Sequence, residues 1–189
     1  MSAAPPPIPQ GGNPSGIARL VGGHRFALGV LAALIGVLVG GAAVLFNLMI
    51  RAWTWVSTGY QDYSLHPGAA HGVWGWAPWF LVLSPVVAGL LYGPVIQRWA
   101  PSARGHGIPE VMLAVRRRGG RIPGRVAVVK LLASALTIGS GGSAGREGPI
   151  VQIGASLGSS FATRLGLPTN RGVLLATCGS AAGIAATFR

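Results

Sequence analysis

Three observations predict an all-α, polytopic membrane fold. Half of the 189 residues are apolar and only a tenth are charged, with a positive mean hydropathy, a balance that argues against a water-soluble domain. Phe26 to Ile50 and Val73 to Gln97 each run without a formal charge, and a hydrocarbon core takes about 20 helical residues to cross. Two full spans are therefore the expected minimum. Finally, the apolar runs show no apolar/polar alternation, so a closed barrel, the only strand-built solution in lipid, is set aside.

The first 23 residues are rich in Pro, Gly and Ser with no apolar core, and they read as a disordered cytoplasmic tail rather than a cleaved leader. Residues 24–189 form the membrane part. Arg19 and Arg25 precede the first span; Arg98, Arg104, Arg116, Arg117, Arg118, Arg121 and Arg125 follow the second; Gly59 to Gly72 between them holds no Lys or Arg. The positive-inside rule then places the amino terminus and the arginine-rich segment in the cytoplasm and the loop around Asp62 outside. This topology accounts for the net charge of +12 better than nucleic-acid binding, which would interleave the cations with aromatics on one face. Trp53, Trp55, Trp74, Trp76, Trp79 and Trp99 gather near the ends of the two spans, as interfacial aromatics do.

Beyond the second span the apolar segments become short and are broken by Gly and Pro. Ile108 to Val115 is expected to be a two-turn helix, with Pro109 suited to its first position. Arg125 to Ile138 is a longer helix that carries the only lysine, Lys130, in its apolar run. Pro149 opens a helix to Leu165, and Asn170 caps a last one running to Phe188. Several of these are too short to span at about 1.5 Å per residue. Gly154 and Gly158, then Gly179 and Gly183, are small-residue pairs at a four-residue spacing that suit close helix packing. Cys178 is alone, which leaves no disulfide and no thiolate metal cluster; no metal or cofactor is expected.

The most informative stretch is Gly139-Ser140-Gly141-Gly142-Ser143-Ala144-Gly145-Arg146-Glu147-Gly148-Pro149. Irregular backbone inside a bilayer is tolerated only when buried in protein or lining a watery cavity. Glycines there let backbone N–H groups approach a small ligand, and the helix that follows points its positive dipole end at the break. Gly105-His106-Gly107-Ile108-Pro109-Glu110 repeats the design, so two helix starts are expected to converge on one anion site, a recurring transporter device. Glu147, one of three acids in the chain with Asp62 and Glu110, is then a tethered competitor for the anion that leaves when protonated. An ionisable group at membrane depth is a functional candidate by default. A mere ion pair with Arg146 is the bland alternative, weakened because adjacent helical residues do not face each other.

Gly145-Arg146-Glu147-Gly148-Pro149 with Gly139-Ser140-Gly141 upstream, Gly107-Ile108-Pro109 about 40 residues earlier, and Gly179-Ser180-Ala181-Ala182-Gly183 together resemble the CLC family of chloride channels and chloride/proton antiporters. The resemblance runs from about Arg25 to the end. It implies a CLC-like fold with broken, half-spanning helices, here the amino-terminal half and first of two inverted repeats, and a homodimer in full-length form with one pore per subunit. It also implies voltage-gated-type chloride conduction or chloride/proton exchange in a bacterial plasma membrane, with Glu147 as the gate. Anion contacts are implied at His106, Gly107, Ile108, Arg146, Gly148, Pro149 and Ile150. Where the family commonly has serine this chain has His106, whose ring can donate one N–H when neutral and adds charge when protonated; alternatively only its backbone matters. The proline after Glu147 and Gly148 points to chloride rather than the fluoride-selective branch. The family's second-half elements, including a pore tyrosine and the internal glutamate of antiporters, have no place in these residues, so an inactive truncated fragment is an alternative.

A reading from another class rests on Gly141-Gly142-Ser143-Ala144-Gly145, which matches the Gly-x-Ser-x-Gly elbow of serine hydrolases. That elbow needs a strand before it and an acid and a His after it. His24, His66, His71, His106 and Asp62 all precede Ser143, so an intramembrane hydrolase is the weaker alternative.

Overall fold

The computed structural model describes residues 25–60 and 79–188, and all regular structure among them is helical. The helices are α1 (Arg25–Thr58), α2 (Trp79–Trp99), α3 (Ile108–Arg117), α4 (Gly124–Gly139), α5 (Glu147–Arg164) and α6 (Thr169–Thr187), with one 3₁₀ turn at Pro101–Ala103. The expected tail before residue 24, the loop around Asp62, and His24, His66 and His71 lie outside the described residues.

Helix α1 has 34 residues, roughly 51 Å at 1.5 Å per residue, so it must tilt or project beyond a hydrocarbon core of about 30 Å. It runs eight residues past the expected end at Ile50. Beyond that point Thr54 and Thr58 donate their hydroxyls to the carbonyls of Ile50 and Thr54, both at 2.8 Å. These bonds give the two buried hydroxyls partners within the helix. Among the described residues α1 is the one helix long and apolar enough to cross a membrane by length and composition. Two were expected. The counterpart of the second span is α2, described from Trp79 and carrying Pro85 and Pro94 inside it; the expected start at Val73 lies outside the described residues. A 3.2 Å hydrogen bond from Ser84 Oγ to Ser57 Oγ ties it to α1.

Helix α5 sits at the centre and is the most thoroughly buried element: eleven of its eighteen residues are enclosed. It packs on α6, α4, α1 and α3. Three apolar clusters surround it. Val151 and Ala155 meet Val111, Ala114, Val126 and Val129 of α3 and α4; Ile150 and Ile153 meet Phe46, Ile50 and Ile138; Ala162 meets Ile35, Val39 and Leu175.

The paired glycines explain the close approach of α5 to α6. A Cβ on Gly154 would fall on the carbonyl of Gly179, one on Gly158 on that of Leu175, and one on Gly183 within 2.7 Å of the Ile150 carbonyl. Backbone touches backbone at these crossings, which only glycine permits.

Two expected helix starts are corrected. The cap of α6 is Pro168, with φ −64° and ψ 156°, and it makes no side-chain capping bond. Asn170 lies inside the first turn, exposed, because Pro168 already supplies the extended backbone that a cap needs. Helix α5 starts at Glu147, two residues before Pro149, so the proline falls in the first turn, where its missing N–H has no intrahelical partner to lose.

Candidate functional site

The starts of α3 and α5 meet. Gly107 caps α3 with φ +92° and is buried; a side chain there would be strained by its dihedral and would meet Gln152 Oε1 at 2.8 Å and the Gly148 carbonyl at 3.0 Å. From the other side, a Cβ on Gly148 would fall on the carbonyl of His106. Each glycine is thus the space that the other helix start occupies. Both positive dipole ends, with the unbonded N–H groups of the first turns, are brought to one place.

Around this junction the expected residues divide by burial. Glu147 is the first residue of α5 and Arg146 its cap, and both side chains are exposed in this chain, as are His106 and Ile108. Gly148 is half-buried, while Pro149 and Ile150 are buried. The Ile150 N–H donates to the Arg146 carbonyl at 3.3 Å and its side chain is 1% exposed in the core. Pro149 has no N–H, so the amide donors at the tip of α5 belong to Glu147 and Gly148.

A cavity of about 190 Å³ opens beside the junction. His106, Gly145 and Pro149 line it together with Arg104 and Lys130, and no Asp or Glu does. Its walls are completed by Tyr92 of α2 and by Ser134 and Thr137 of α4. The site is electropositive from four sources at once: two helix starts, a guanidinium and an ammonium.

Lys130 is the participant that periodicity had left without a role. It is 4% exposed, and its Nζ donates to the Ala103 carbonyl at 3.0 Å and to that of Gly105. These bonds pin the segment that presents His106. An ammonium has three donors, so one remains beyond these two bonds on a residue that lines the cavity. Gln152 does similar work from α5: 1% exposed, it donates Nε2 to the Ser102 carbonyl at 2.7 Å while its Oε1 has no partner among the described residues. The signal for Lys130 was present, a lone cation in an apolar helix, but its partners lie 25 and 27 residues away in sequence.

The hydrolase reading does not survive the geometry. Ser143 is exposed and follows helix α4 and its terminal turn, not a strand, so the strained strand-to-helix elbow is missing.

A family model described as voltage gated chloride channel matches residues 88–189, which include α3 to α6 and the whole junction. The H(+)/Cl(-) exchange transporter ClcA of Klebsiella pneumoniae (strain 342) is 35% identical over 176 residues, 91% of this chain and 36% of the relative. The transporters of the same name from Salmonella arizonae and Salmonella newport are 36% identical over the same shares. The chain therefore spans about a third of the length of the curated relatives it matches. They are membrane transport proteins, not enzymes. With a match covering more than half of its residues, this chain belongs to the voltage gated chloride channel family, the CLC family of channels and exchangers.

Proposed function

We propose that the chain forms one wall of a chloride pathway that exchanges chloride for protons across a bacterial plasma membrane, with Glu147 as its gate. The observation that carries this reading is the junction of two helix starts beside a cavity lined by Arg104 and Lys130 and by no carboxylate. Such a place attracts a small anion from either side of the membrane. Glu147 is tethered at the tip of α5 as the built-in competitor. Deprotonated, its carboxylate takes the anion's place against the amides; protonated, it has no charge to offer and yields. Proton uptake and chloride entry thereby become alternating steps of one cycle.

Residues 24–189 act on this reading as the first half of a transmembrane domain, preceded by a cytoplasmic tail at residues 1–23. The remaining length of the relatives supplies the opposing wall and the dimer contact. His106 stands with its ring on the anion path, where serine is common in the family, and contributes a ring N–H as donor. Arg146, Gly107, Ile108, Gly148, Pro149 and Ile150 shape the pathway.

The test is flux in liposomes reconstituted with the full gene product. Chloride efflux driving a stoichiometric pH change supports exchange; chloride flux with no proton movement replaces it with passive conduction; no chloride flux of either kind removes the proposal. Glu147→Gln carries no titratable carboxyl, so chloride movement should persist while proton coupling and pH sensitivity are lost. Unchanged pH sensitivity would sink the gate assignment.

A further inference from the structure

A larger cavity, about 870 Å³, lies apart from the junction, between α1, α4 and α5. Its volume is within the roughly 300–1,000 Å³ typical of ligand sites. Its floor is apolar, with Leu38 of α1, Val128 of α4 and Phe161 of α5. Three guanidinium groups stand on its rim: Arg121 from the connection between α3 and α4, Arg125 in the first turn of α4, and Arg164 in the last turn of α5. No Asp or Glu lines it.

That combination is electrostatically incomplete. Three like charges around one groove repel one another. Arg164 has the negative end of α5 beside it, but Arg125 stands at the positive end of α4, where the helix dipole adds to the excess. An anion on the rim would relieve the repulsion, and an apolar chain on the floor would cover Leu38 and Val128, which in this chain are 51% and 60% exposed. The positive-inside rule places these arginine-bearing ends at the cytoplasmic face, where the leaflet is rich in anionic lipid and basic pockets between membrane helices bind its head groups.

We infer that this groove is a binding site for an anionic phospholipid of the cytoplasmic leaflet. The phosphate sits among Arg121, Arg125 and Arg164, and an acyl chain lies over Leu38, Val128 and Phe161. None of these residues belongs to the proposed chloride site, so this lipid site and the exchange reading stand or fall separately.

Native mass spectrometry of the full gene product, delipidated and then titrated with phosphatidylglycerol or phosphatidylcholine, reads the site directly. Phosphatidylglycerol should be retained in preference. The combined change Arg121→Gln, Arg125→Gln, Arg164→Gln should weaken that preference about a hundredfold, at roughly fivefold per guanidinium near the membrane surface. Removing the same charge elsewhere, with Arg98→Gln, Arg116→Gln and Arg117→Gln, should leave it intact. If the triple variant does not fold, the single changes and Val128→Trp, which fills the floor while keeping the arginines, test the same groove. Equal loss in both triple variants, or no preference in the unaltered protein, overturns the proposal. Displacement by glycerol phosphate as effective as by the lipid reassigns the site to a free phosphate ester and overturns the lipid.

Discussion

Lys130 and Glu147 are two of the ionisable side chains on which the proposed site depends, and they were unequally visible in the sequence. Glu147 stood out because carboxylates are scarce in this chain and this one lies in a glycine-rich break. Lys130 was visible only as an oddity, since what it does depends on carbonyls brought to it from the segment before α3. Lys130→Met keeps the length of the side chain and removes its donors, leaving the Ala103 and Gly105 carbonyls short of a partner. The expected loss is about 1–3 kcal/mol for unsatisfied buried groups, read as a lower midpoint of thermal unfolding in detergent, together with weaker chloride binding by calorimetry. Lys130→Arg, which keeps charge and donors, should recover most of the binding; if Lys130→Met binds chloride normally, its charge does not serve the site. Gly148→Ala asks a different question. Its methyl would collide with the His106 carbonyl, so chloride affinity should fall even though no charge changes, and unaltered affinity would show that the junction is not the binding place.

Among the elements, α5 shows best where sequence reasoning holds and where it stops. Its existence, its apolar character and the packing role of Gly154, Gly158, Gly179 and Gly183 were all legible, because a four-residue spacing of small residues has one geometric use on a helix. Its first residue was not. Proline marks a helix start only to within a turn, and here the helix reaches back to include Glu147. The cap of α6 was misplaced for a related reason: Asn170 is a good capping residue in isolation, but Pro168 two positions earlier already holds the extended backbone. For the glycine crossings the expectation is severe. Gly154→Val or Gly179→Val would force α5 and α6 apart and cost at least about 1–3 kcal/mol of overpacking, seen as aggregation or loss of the monodisperse peak in size-exclusion chromatography. Gly29→Val is the matched control, since nothing lies within 4 Å of a Cβ there, and it should behave as the unaltered protein.

For the whole molecule, composition and hydropathy were enough to predict an all-helical protein; the cytoplasmic placing of its arginine-rich segment is the expectation of the positive-inside rule. The packing of α6, α4, α1 and α3 on α5 was not legible, because short broken segments carry no sign of their neighbours. Orientation can be measured directly. In a Cys178→Ser background, Tyr60→Cys at the end of α1 should react with an impermeant maleimide on intact cells, whereas Arg118→Cys after α3 should react only once the membrane is opened; the reverse pattern would invert the topology. The meeting of α3 and α5 also bears on how such a molecule can move. With Gly148 seated against the carbonyl of His106, any parting of the two helix starts would open a gap in a closely packed junction. On the proposed gate reading, the exposed Glu147 side chain can move by torsion alone, which takes picoseconds to nanoseconds. A latch the size of one side chain, as that reading has it, needs no rearrangement of the helices and so makes little demand on the stiffness or thickness of the surrounding lipid.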